Sequence, residues 1–110
     1  GGKDIVMARD PDGSTALMWA AKSGSVEVCQ ELCDKGGREL IHAKNQLGVT
    51  ALSEAAVEGH AEVIQYLCEV GGKELLMSKC NIGWTALHRA AAEGRPGQLD
   101  VVKYLCDLGG

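Results

Sequence analysis

One phrase occurs three times in this chain, and its spacing admits few architectures. Gly13-Ser14-Thr15-Ala16-Leu17, Gly48-Val49-Thr50-Ala51-Leu52 and Gly83-Trp84-Thr85-Ala86-Leu87 lie 35 residues apart. Each runs into an alanine pair, Ala20-Ala21, Ala55-Ala56 and Ala90-Ala91. A fixed period of this size implies a solenoid, in which each unit buries its apolar side only against its neighbours. Stacked units build a long surface rather than a deep pocket.

Within a unit the residues spell out two helices. Thr15, Thr50 and Thr85 stand where an N-cap hydroxyl can accept from an unpaired amide. Leu52, Ala55 and Ala56 then fall at i, i+3 and i+4, one face of a short helix. Gly24, Gly59 and Gly94 are placed to end that helix. A second helix carries Val63, Ile64, Leu67 and Cys68, with counterparts Val28, Cys29, Leu32 and Cys33 and then Val101, Val102, Leu105 and Cys106. The Gly71-Gly72 pair is expected to stop it, with Glu74-Leu75-Leu76 adding one separate turn before the loop to the next threonine. Helices shorter than about 12 residues are marginal alone in water, so stacking must hold them. The third unit is longer, because Glu62 maps onto Asp100, 38 residues on. The insertion is read as lying within Arg95-Pro96-Gly97-Gln98-Leu99.

The unit closest to a known pattern is the third, with Thr85-Ala86-Leu87-His88-Arg89-Ala90-Ala91, while the second retains Gly59-His60-Ala61-Glu62-Val63. The repeated Gly-x-Thr-Ala-Leu-x-x-Ala-Ala-x-x-Gly resembles the ankyrin repeat, whose signature is Thr-Pro-Leu-His-x-Ala. The likeness covers essentially the whole chain. It departs in having alanine at 16, 51 and 86 in place of proline, in keeping histidine only at 88, and in a linker of the type Gly-Gly-x-Glu-Leu that lengthens the usual period of about 33. It implies an all-α, ankyrin-type solenoid of stacked helix-turn-helix repeats with connecting loops. Residues 1–110 would form a single domain, with repeats near 13–47, 48–82 and 83–110 and with 1–12 as the tail of a preceding repeat. Gly1-Gly2-Lys3-Asp4-Ile5-Val6 matches Gly36-Gly37-Arg38-Glu39-Leu40-Ile41, so the chain is expected to be a piece of a longer array. Its ends lack polar caps, so the chain is expected to be marginally stable alone, to self-associate through them, or to pack against flanking sequence.

Composition narrows the function. A net charge of −4 argues against nucleic acid, and no apolar run approaches the roughly 18 residues of a membrane helix. Phe is absent, so the core must be built from small aliphatic side chains and cysteine. Of the five cysteines, Cys33, Cys68 and Cys106 share one register as buried apolar sites, which points to reduced thiols and an intracellular, cytoplasmic setting. Cys29 and Cys33 lie four apart on one helix, yet the paired spacings of zinc sites are missing, and core packing is the simpler reading. Cys80 stands in the loop position of Asp10 and Asn45, either as an exposed reactive thiol or as a substitute for a loop-capping polar group. His42, His60 and His88 occupy different registers. A Cys80–His88 nucleophilic pair would lack both an orienting residue and an oxyanion pocket. Gly-Gly-Lys alone is no phosphate loop. No enzyme activity, metal or cofactor is expected.

In ankyrin-like stacks the loop tips and the outer side of each first helix line a concave groove. Mapped onto this chain, that groove is formed by Trp19, Lys22, Leu47, Val49, Glu54, Ile82, Trp84 and Arg89. Apolar residues in loop positions mark a contact surface, and Trp and Arg are frequent binding anchors. The same residues could instead only staple neighbouring loops together, a reading favoured by the shared register of Val49 and Trp84. The expected function is a protein–protein interaction module within a larger intracellular protein. The alternative is a structural spacer in a long array with no ligand of its own.

Overall fold

The computed structural model describes residues 2–109, with side chains from Asp4 onward. Among the described residues there are seven helices and no strand. They are α1 (Gly2–Val6), α2 (Ala16–Ser23), α3 (Val26–Ile41), α4 (Ala51–Glu58), α5 (Ala61–Leu76), α6 (Ala86–Ala92) and α7 (Gln98–Gly109). Three antiparallel pairs, α2–α3, α4–α5 and α6–α7, stack side by side into a body of 40 × 27 × 24 Å. The first helices α2, α4 and α6 form one row, and α3, α5 and α7 form the other.

Each start follows from its cap. The Thr15 and Thr50 hydroxyls accept from Met18 N at 3.4 Å and Ser53 N at 3.3 Å. At the third start the His88 ring reaches back instead, its Nδ1 accepting from Thr85 N at 3.0 Å. That bond places the neutral ring's proton on Nε2.

The double glycines interrupt the second helices where the sequence placed a stop, and one further helical turn follows each. α3 and α5 each cover 16 residues and continue past Gly37 and Gly72 with a kink. Those two glycines adopt φ 62°, ψ −157° and φ 64°, ψ −164°, a region open essentially to glycine alone. The glycine pair therefore ends the regular helix, and a separate turn follows in a new direction, as the sequence indicated. The turn beyond buries Leu40 and Ile41 in one unit, and Leu75 and Leu76 in the next.

The third unit corrects the register read from sequence. α6 stops at Ala92, with Glu93 as its extended C-cap, and Gly94 does not take the left-handed conformation of Gly24 and Gly59. Gly97 does, at φ 91°. Counting back from Val101 thus aligns Gly97-Gln98 with Gly59-His60, and the extra residues are Gly94-Arg95-Pro96.

Comparison of equivalent positions shows which side of each unit meets its neighbour. Leu17 and Leu52, and Ala21 and Ala56, are fully buried, whereas Leu87 is half-buried and Ala91 exposed in the last unit. Conversely Val28 is 49% exposed in the first unit, while Val63 and Val101 are buried. Each seam is therefore built from a Leu/Ala/Cys side facing forward and an Ala/Val/Leu side facing back. Cys33 and Cys68 lie in such seams as expected, but Cys106, on the last forward side, is exposed.

Truncating Leu52 removes a fully buried side chain from the central seam. We expect Leu52→Ala to cost about 3 kcal/mol in urea unfolding, against less than about 0.5 kcal/mol for exposed Leu47→Ala.

Candidate functional site

The loops between helix pairs are built alike from three short, hairpin-like turns. Asp10 N donates to Ser14 O, Asn45 N to Val49 O and Cys80 N to Trp84 O, all at 2.9–3.0 Å. Inside each turn a side chain at the first position collects amides. Asp10 Oδ1 accepts from Asp12 N and Ser14 N, and Asn45 Oδ1 accepts from Leu47 N and Val49 N. The Cys80 thiol takes the same place, facing the amides of Ile82 and Trp84. Of the two readings open for Cys80, its geometry matches the loop cap.

Neighbouring fingers are tied to each other by matched rungs. Gln46 N donates to Asp12 O at 3.1 Å, and Asn81 N to Leu47 O at 2.9 Å. Their side-chain amides repeat the pattern, Gln46 Nε2 to Pro11 O at 3.0 Å and Asn81 Nδ2 to Gln46 O at 2.8 Å. Below them the Arg9 guanidinium donates to Lys44 O at 2.6 Å, and Lys44 Nζ to Lys79 O at 2.9 Å. Sequence reading missed these rungs. Their signal was present, since 11, 46 and 81, like 9, 44 and 79, are 35 residues apart.

At the finger tips Leu47 is 67% and Ile82 72% exposed. Trp19 stands half-exposed on α2, its indole Nε1–H donating to Asp10 Oδ2 at 2.9 Å, with Lys22 Nζ 5.4 Å from its ring centroid. The Trp19 bond, followed by that from Ser14, holds the Asp10 carboxyl below the usual aspartate value. Trp19, Lys22, Leu47 and Glu54 share one groove of about 340 Å³ with Asp12, Ser14, Asn45 and Gln46. Arg89 Nη2 lies 3.9 Å from Glu54 Oε1, which links the third unit to the groove's floor. Ile82 and Trp84 lie on the third finger, outside that groove. Trp84 stacks on His88 with centroids 6.0 Å apart and planes at 22°.

Val49 is the exception among the expected contact residues. It is 3% exposed, so it offers almost no surface to a partner. A branched aliphatic residue in a loop was read as a contact or a staple between loops; its burial fits the staple.

The opposite ends of the helix pairs are latched by side chains that reach across seams. His60 Nε2 bonds Lys22 O at 2.9 Å. Gln98, the counterpart of His60, donates from Nε2 to both Ala56 O at 3.1 Å and Ala90 O at 3.0 Å. Arg95 reaches Glu58 Oε1 at 2.9 Å and Glu93 Oε1 at 3.0 Å. The role of Gln98 was hidden by the register error described above. Because Gln98 is buried, Gln98→Ala would strand two carbonyls, and we expect a loss of about 2 kcal/mol by chemical denaturation.

No group of His, Cys, Asp or Glu able to hold a metal occurs among the described residues. No helix there is long and apolar enough to cross a membrane. Burial pushes the Cys29 and Cys68 thiols up to about 11 and raises that of Cys33. At Cys80 desolvation acts upward, but the amides of Ile82 and Trp84, with the charge of Arg89, bring the thiol below its ordinary value. Iodoacetamide followed by peptide mass mapping should therefore label Cys80 and exposed Cys106 in the folded chain, leaving Cys29, Cys33 and Cys68 untouched until urea is added.

No curated protein matches the chain. A family model described as ankyrin repeats, in three copies, matches residues 2–75 and again 38–110. Paired helices, hydrogen-bonded fingers and these two overlapping matches together place the chain in the ankyrin-repeat family, whose members' repeats generally serve as protein–protein interaction modules.

Proposed function

We propose that this chain binds a protein partner across its fingers and the adjoining groove, as a module of a larger intracellular, cytoplasmic protein. One observation supports the reading above all. Leu47 and Ile82 project from fingers whose backbone is held by rungs, and Trp19 stands on α2 tied to the first finger through Asp10, so large apolar side chains are exposed on a rigid frame. A frame ordered beforehand loses little conformational entropy on binding. Lys22, Glu54 and Arg89 border these residues with charges of both signs, which suits a mixed protein surface better than uniformly anionic nucleic acid.

Within this reading Trp19 is the anchor. Trp84 divides its surface between His88 and solvent, so part of its contribution goes to holding the third finger. The spacer alternative has no comparable observation in its favour.

The test begins by identifying proteins retained by the chain and purifying one of them. Its affinity is then measured by calorimetry against three variants. Trp19→Ala is expected to weaken binding by about 2 kcal/mol, roughly thirtyfold. Leu47→Asp is expected to abolish it, while Leu99→Asp, at an exposed site on α7, leaves it unchanged. Equal affinity in all three variants would remove the finger surface from consideration and leave the spacer reading.

A further inference from the structure

The groove beside the first two fingers already holds a cation, and that cation belongs to the chain itself. Lys22 Nζ lies 5.4 Å from the Trp19 ring centroid. Among the described residues it makes no hydrogen bond and no ion pair, so the aromatic face alone keeps it there. The ring is fixed by its own partner. Trp19 Nε1–H donates to Asp10 Oδ2 at 2.9 Å, while Asp10 Oδ1 accepts from the amides of Asp12 and Ser14. A carboxylate on the N–H edge pushes electron density into the indole, which strengthens the pull of its face on a positive charge.

The rest of the groove carries the same bias. Asp12 and Glu54 line it together with Lys22 and Trp19. No described residue donates to the Asp12 carboxylate or pairs with it. Glu54 has Arg89 Nη2 at 3.9 Å, beyond hydrogen-bonding reach, so its oxygens stay open to a donor. With Asp10, three carboxylates thus stand around Trp19, against Lys22 and the more distant Arg89. Lys22 sits one turn along α2 on a flexible stem and can swing into solvent. That movement would bare the indole face to another cation. Leu47, 67% exposed on the same groove, offers an apolar ledge for the residues flanking it.

We propose that the groove receives an arginine side chain of the protein partner, stacked on Trp19 in place of Lys22, with its guanidinium donating to Asp12 and Glu54. That assignment rests on the groove being the partner-binding surface and names the group it recognises there. Arginine suits the place better than lysine. Its planar fork can lie on an aromatic face and still present N–H donors to carboxylates at its edge. Lys22 is then an internal competitor, because in the free chain it covers the face that the partner's arginine must take.

Nitrogen–proton correlation spectra of the full chain test this, with the Trp19 indole resonance followed during titration. The probe is the peptide acetyl-Ala-Leu-Arg-Leu-Ala-amide. Matched peptides carry citrulline, which keeps the shape without the charge, or glutamate at the central position. The arginine peptide is expected to move the Trp19 resonance saturably, leave that of Trp84 in place, and bind about tenfold tighter than the citrulline peptide. Lys22→Gln is expected to tighten arginine binding by about threefold, and Glu54→Gln to weaken it by about fivefold. Resonances far from the groove report that each variant is folded. No saturation with the arginine peptide, equal binding of citrulline, a preference for glutamate, or weaker binding in Lys22→Gln would overturn the proposal. If Trp19→Ala and Leu47→Asp still weaken the protein partner in that case, the binding surface stands and only its arginine subsite is removed.

Discussion

Close approach of the first helices is the condition on which everything else in this molecule rests. α2, α4 and α6 pack directly against one another because alanine occupies the facing positions, and Ala21, Ala55, Ala56 and Ala90 are fully buried. Methyl-sized side chains let the backbones come near enough for Leu17 and Leu52 to fill the seams. The same spacing brings adjacent fingers within hydrogen-bonding distance. A larger residue at Ala56 would push two helix pairs apart and stretch the rungs from Gln46 and Asn81 together. Core packing and loop order are thus one property, set by the smallest side chains in the chain.

Two kinds of tie then work at opposite ends of the helices. At the fingers, rungs recur with the period of the sequence, and at the other end His60 and Gln98 reach across to carbonyls of the neighbouring unit. Glycine makes the second latch possible. A Cβ on Gly24 would lie 2.7 Å from the His60 ring, and one on Gly59 would lie 2.8 Å from Gln98 Oε1. The left-handed cap and the latch therefore depend on the same residue. With both ends secured, the exposed tips of Leu47 and Ile82 are held in place despite lying in loops, and a binding reading draws its force from that order.

The architecture was legible from sequence because periodicity is a direct record of stacking. Thr15, Thr50 and Thr85 marked the helix starts, and Leu52, Ala55 and Ala56 marked the buried face. What escaped was information carried by context rather than by residue type. Gly94 follows α6 as Gly59 follows α4, yet the inserted Arg95-Pro96 moves the left-handed cap to Gly97. Val49 reads as an apolar loop residue because its burial leaves no trace in local pattern. Cys106 shares its register with Cys33 and Cys68 but not their covering neighbour. In the groove, the apolar tips were legible, whereas the amide rungs that steady them depend on partners 35 residues away.

The lengthened turn before α7 has an effect on the seam between the second and third units. Here the added residues put Arg95 beside Glu58, while Gln98 clasps the carbonyls of Ala56 and Ala90. The insertion binds the last helix pair to the one before it. Separating α6–α7 from α4–α5 must break the Arg95 pair and the Gln98 clasp as well as the seam, so the extra loop adds a fastener between these two units.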